Sequence, residues 1–143
     1  MSLARQRFYR GLFLTSAIYD LGLGLVFAFL YRAAFGWLGI ADQLPAFGGY
    51  LTLLGAFVSV IGVGYWLVFR GDLWRNRDLV LVGALYKLAY CTVAFYSFWQ
   101  GVLPHVVFAA LFGIVDGLFF VFMAECWMHL RTSLPLRSPP PTQ

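Results

Sequence analysis

Four long apolar stretches separated by short polar connections account for nearly the whole chain. The first runs from Gly11 to Tyr31, 21 residues whose only charge is Asp20, or roughly 31 Å of helix. The others cover about residues 47–69, 79–99 and 104–128. Each is long enough to cross a bilayer as a single helix. The pattern therefore predicts an all-α, polytopic membrane protein: one four-helix antiparallel bundle over residues 1–131, followed by a Pro- and Ser-rich tail, 132–143, expected to be disordered and cytoplasmic.

The connections have turn or interface chemistry. Arg32 and Phe35-Gly36-Trp37 read as an interfacial belt, and Gly39 to Gly49, with Asp42 and Pro45, as a loop of turn formers. Arg70, Asp72, Arg75, Arg77 and Asp78 form a charged link that cannot lie in hydrocarbon. Gln100 to His105 is so short that the third and fourth helices must be antiparallel neighbours, with Pro104 acceptable in the first turn of the fourth. Gly55, Ser59 and Gly62 share one face of the second helix and predict a close packing seam.

Composition strengthens the membrane reading. Hydrophobic residues make up 62% of the chain and charged residues 11%, against about 25% charged in ordinary soluble domains, and the mean hydropathy is +0.79. The net charge of +4 does not indicate nucleic acid, because no basic run is interleaved with aromatics. The arginines report orientation instead. Arg5, Arg7, Arg10, Arg70, Arg75, Arg77, Arg131 and Arg137 fall on one side, and only Arg32 on the other. The positive-inside rule then puts both termini in the cytoplasm. The first stretch is too long for a signal peptide and lacks an A-x-A-type cleavage site, so it is expected to remain as a helix.

The candidate chemistry is a lysine in the wrong solvent. Lys87 lies near the middle of the third stretch, roughly 13 Å along the helix from Asp78, too deep to snorkel easily to water. Asp20 and Asp116 lie at comparable depth in the first and fourth stretches. Ser16, Asp20 and Gly24 share a face, as do Gly83, Lys87, Tyr90 and Cys91, and Gly113, Asp116, Gly117 and Phe120. A small residue one turn from each charge leaves room for a partner side chain or a water. The spacing predicts a buried Asp20–Lys87–Asp116 cluster, with Tyr19, Tyr86 and Tyr90 as further ligand- or proton-binding candidates. Tyr65, Tyr86 and Tyr90 are placed to donate to the carboxylates, although aromatic filling is their commoner role. One ammonium against two carboxylates leaves one negative charge, which a shared proton or a bound cation would balance.

Glu125 lies on the opposite face of the fourth helix from Asp116, close to Arg131, where it can pair with His129 one turn on. Cys91 and Cys126 fall in different stretches, outside any C-x-x-C motif, and read as small buried residues. No mid-membrane histidine pair could ligate a haem, no His/Cys cluster a zinc ion, and no Walker loop or G-x-S-x-G is present. No catalytic, metal or cofactor residue is assigned, and an enzyme is the less favoured class.

The segments Ile18-Tyr19-Asp20-Leu21-Gly22-Leu23-Gly24, Gly62-Val63-Gly64-Tyr65 and Gly83-Ala84-Leu85-Tyr86-Lys87 fit a loose pattern. Over roughly residues 8–130 it resembles the small, largely uncharacterised bacterial four-helix membrane proteins described as DoxX-like. The resemblance implies a four-helix architecture and a bacterial inner-membrane location. Some of those proteins are described as membrane subunits of quinone-linked oxidoreductases, but no catalytic motif of theirs matches here residue by residue, so that role is not carried over.

Two functional readings follow. In one, the cluster is a small-molecule, ion or proton binding or transport site, and the bundle acts as a homo-oligomer because four helices enclose little volume. In the other, the chain is an accessory or scaffold subunit of a larger membrane complex, and the charges only set which helix faces which. The partners expected are the lipid bilayer and either further copies or a membrane subunit, with no nucleic acid. The arginine asymmetry generates the first prediction: a reporter fused after Gln143 or inserted near Asn76 is cytoplasmic, and one inserted near Asp42 is periplasmic. A periplasmic C-terminus would reverse the orientation.

Overall fold

In a computed structural model, described here for residues 2–132, the chain is all-helical, with no strand among the described residues. Four helical runs are long and apolar enough to cross a membrane: α1, Leu3–Trp37; α2, Gly49–Arg70; α3, Arg77–Trp99; and α4, Val106–Thr132. The tail expected to be disordered lies, from residue 133 on, outside the described residues.

The helix ends follow from local chemistry. Ser2 opens α1, its hydroxyl accepting from Arg5 N–H, which satisfies one of the orphan donors of the first turn. This cap lets the helix start ahead of the apolar stretch and carry Arg5, Arg7 and Arg10 within it. Gly39 and Gly101, at φ +72° and +66°, end α1 and α3 in the left-handed region that glycine enters without steric cost. After each, the next residue's N–H reaches back five positions, Ile40 to Phe35 and Val102 to Ser97. The fourth run starts at Val106 rather than at Pro104, because His105 Nδ1 caps Val107 N–H at 3.1 Å and leaves the proline in the turn.

The helices pair as two antiparallel hairpins, α1 with α2 and α3 with α4, which touch each other more sparsely. The predicted small-residue face of α2 forms the seam of the first hairpin. Gly55 lies against the backbone of Ala28 and Gly24, and Gly62 against Leu21 and the Ala17 carbonyl. Both described chain ends and the Arg70–Arg77 link lie at one end of the bundle, where the Arg10 guanidinium donates to the Gly71 carbonyl at 3.3 Å. In the half nearest that end the hairpins join through a close-packed core that includes Tyr9, Phe13, Val68, Val80, Met123 and Leu130, with Leu73 of the link beneath.

Two segments depart from regular α geometry. Val26–Leu30 in α1 and Ala109–Val115 in α4 are π-helical, closing i→i+5 rings that accommodate an extra residue and are often found at functional sites. Carbonyls in these segments accept from side chains on other helices: Ala28 from Thr52, Leu111 from Tyr19 and Gly113 from the Cys91 thiol.

The outer surface carries large exposed apolar side chains, among them Ile18, Phe29, Val60, Val93 and Ile114, while the buried polar set is Ser16, Asp20, Lys87 and Asp116. Charge inside and hydrocarbon outside is the reverse of a water-soluble domain, and it suits a bundle solvated by lipid.

The seam predicts a position-specific response to bulk. Gly55→Leu drives a side chain into the backbone of α1 and should lower stability by about 1–3 kcal/mol, read as a lower thermal midpoint in detergent. Gly22→Ala, with nothing within 4 Å of its added methyl, should be neutral or raise stability by up to about 1 kcal/mol.

Candidate functional site

The predicted charges meet. Lys87 Nζ on α3 donates to Asp20 Oδ1 on α1 at 2.6 Å and to Asp116 Oδ1 on α4 at 2.8 Å. None of the three residues is more than 2% exposed. Asp116 and Lys87 belong to one hairpin and Asp20 to the other, so the Asp20–Lys87 bond is an ionic tie between hairpins. The π segment immediately before Asp116 shifts the helical register there by its extra residue, so which way Asp116 points depends on a feature with no periodic signal in the sequence.

Aromatic rings complete the lysine's surroundings. The ammonium lies 4.9 Å from the Tyr19 ring centroid, 5.3 Å from Phe119, 5.6 Å from Tyr65 and 5.9 Å from Tyr86. Taking an ion pair out of water costs several kcal/mol per ion. Two charge-assisted hydrogen bonds offset part of that, and each ring face within about 6 Å of a desolvated cation returns roughly 0.5–2 kcal/mol. Four rings, one from each helix, lie in that range.

The tyrosines do not serve as carboxylate donors. Tyr65 donates instead to the Gly83 carbonyl at 2.9 Å and Tyr19 to the Leu111 carbonyl at 3.1 Å. The Tyr86 hydroxyl is buried without a well-formed hydrogen bond. The Tyr90 ring packs at 4.8 Å from that of Tyr86 and 5.3 Å from that of Phe112. The rings contribute their faces because the carboxylates already converge on Nζ from α1 and α4. Phe119 went unnoticed in the sequence; its one signal is the i+3 spacing from Asp116, which puts both on one face. The space beside the glycines is also filled: a Cβ at Gly83 would strike the Tyr65 ring, and one at Gly24 would strike Ser59 and the backbone of α2. Small residues near the charges thus admit neighbouring helices.

Beside the ion cluster, two oxygens of α1 also lack partners. Asp20 Oδ2 and Ser16 Oγ, one turn apart on the same face of α1, are both buried and neither makes a hydrogen bond. Away from the cluster, His129 Nε2 lies 3.6 Å from Glu125 Oε1, both part-exposed, as the i,i+4 spacing suggested. Cys91 and Cys126 are free and buried.

A cavity of about 540 Å³ lies in the half of the bundle away from the chain ends. It is lined by side chains of all four helices and by Gln43 and Pro45 of the first connection, and it ends inward at Tyr90 without opening onto Lys87. No family model matches the chain, and no curated protein or solved structure matches it.

The closed geometry predicts a strong asymmetry between single and combined substitutions. Lys87→Met strands two buried carboxylates and should cost about 3–5 kcal/mol, seen as loss of the monodisperse folded species in detergent. The triple change Asp20→Leu, Lys87→Met, Asp116→Leu removes every uncompensated group and should recover most of that loss.

Proposed function

We propose that the protein is a multi-pass inner-membrane protein of the DoxX-like type, with both termini cytoplasmic, whose Asp20–Lys87–Asp116 cluster holds one exchangeable proton for a small-molecule or ion carrier function. The observation that carries this reading is the charge count in a sealed site. A tie between hairpins needs one carboxylate per ammonium, and here two carboxylates meet one lysine, none of the three more than 2% exposed. Two negative charges around a single positive one in low dielectric are unfavourable, and a proton on one carboxyl restores neutrality. Asp20 is the better carrier. Its Oδ2 lacks a hydrogen-bond partner, and Ser16 Oγ one turn away is an unused acceptor. Asp116 then remains ionised as the permanent counter-charge of Lys87.

A second reading is an accessory subunit of a larger membrane complex, in which the cluster only sets helix registry. It is favoured by the closure of the site, since the cavity stops at Tyr90. The triple apolar variant separates the two. Retained cellular function in a well-folded triple variant supports registry, and normal folding with lost function supports the proton site.

Infrared difference spectra in lipid test the proton directly. Between about pH 6 and 8, an aspartic acid in water, which titrates near about 3.9, is fully ionised. In that range the wild type should nevertheless show one protonated carboxylic acid band. Asp20→Asn or Asp116→Asn should abolish it, because the remaining carboxylate then balances Lys87 alone. Asp20→Glu should shift the wild-type band while Asp116→Glu leaves it in place. A spectrum without any acid band would mean that both carboxylates are ionised, and a cation would replace the proton in the proposal.

A further inference from the structure

Beyond the ion cluster the two hairpins diverge, and the gap between them is the 540 Å³ cavity, within the roughly 300–1,000 Å³ typical of small-ligand sites. We propose that this cavity binds a neutral single-chain amphiphile taken from the bilayer, its hydrocarbon chain lying against Phe27, Phe108 and Phe112 and an oxygen acceptor of its head group meeting the phenols of Tyr90 and Tyr86. This does not depend on the proton reading of the cluster.

Three observations converge on it. First, both π segments border the cavity. Phe27 belongs to one and Phe112 to the other, and their rings stack at 6.1 Å, with Phe108 stacked on Phe112 at 5.9 Å. Irregular helix on both sides of one cavity points to a shaped site rather than to loose packing. Second, the mouth lies between α2, at Leu51 and Leu54, and α3, at Ala89 and Val93. These are exposed or part-exposed positions on apolar helices, so the cavity is open to hydrocarbon there as well as at the connections, where Gln43 and Pro104 are exposed.

Third, both ends of the cavity carry polar groups, Gln43 and Ser97 outward and the phenols inward. Tyr90 lines the inner end, and the Tyr86 hydroxyl, buried beside it, has no well-formed hydrogen bond. A buried phenol lacking an acceptor favours a ligand that brings one. An anionic head is disfavoured, because Lys87 is already matched by two carboxylates and a further unpaired charge would be buried at high cost.

The test uses the full chain in phosphatidylcholine vesicles and a hexadecanol photoprobe with a diazirine next to its hydroxyl carbon, the labelled sites being read by mass spectrometry. Labelling should concentrate on α3 between Tyr86 and Ser97, and excess hexadecanol should compete where hexadecane does not. Tyr86→Phe with Tyr90→Phe keeps the shape and should lower labelling about two- to tenfold, the range for loss of a hydrogen bond. Ala94→Trp fills the cavity and should lower it by roughly tenfold or more, and Ile18→Trp on the outer surface should not change it. The acid band of the cluster should persist in Ala94→Trp, so failure of this proposal and of the proton reading can be told apart. Labelling spread evenly over the outward faces, without competition, would overturn the proposal in favour of bulk lipid. So would equal labelling in the two-phenol variant, which retains the fold even if Ala94→Trp does not. A probe displaced as cross-linked dimers form across the α2–α3 mouth would overturn it in favour of a second copy.

Discussion

An ammonium in hydrocarbon has few stable surroundings, and the bundle is arranged around one of them. Lys87 cannot reach water from the middle of α3, so other helices must bring carboxylates to it. Asp20 and Asp116 arrive from α1 and α4, each within 2.8 Å, and rings on α1, α2, α3 and α4 cover the remaining directions. Every helix therefore has a side chain committed to the same nitrogen. Because the helices share no hydrophobic driving force when lipid is the solvent, this convergence and the glycine seam of the first hairpin set which faces meet.

The cluster divides the molecule into two unlike halves. Towards the chain ends, the hairpins are joined by a continuous core of fully buried side chains. Away from them, the hairpins separate, the helices loosen into π turns, and a cavity opens behind a stack of phenylalanines. Tyr86 belongs to both environments. Its ring faces the ammonium and its neighbour Tyr90 lines the cavity. The charge site and the cavity are thus separated by two aromatic side chains.

The sequence by itself determined the class of fold and the identity of the charged cluster. Helix number follows from the length of the apolar runs, because a bilayer admits only segments that satisfy their own backbone hydrogen bonds. The cluster follows because three charges at comparable depth in an apolar chain have no alternative partners. The seam at Gly55 and Gly62 was legible for a similar reason, since small residues at helical spacing do little except admit another backbone. What only the tertiary structure decided was everything that depends on helix rotation and on pairs distant in the chain. The tyrosines turned their rings rather than their hydroxyls to the charges, Phe119 joined them, and the two π segments and the cavity between the hairpins came into being. None of these has a periodic signature: a π turn alters register by one residue without a marker such as proline, and a cavity is bounded by residues that are ordinary lipid-facing or core residues one at a time.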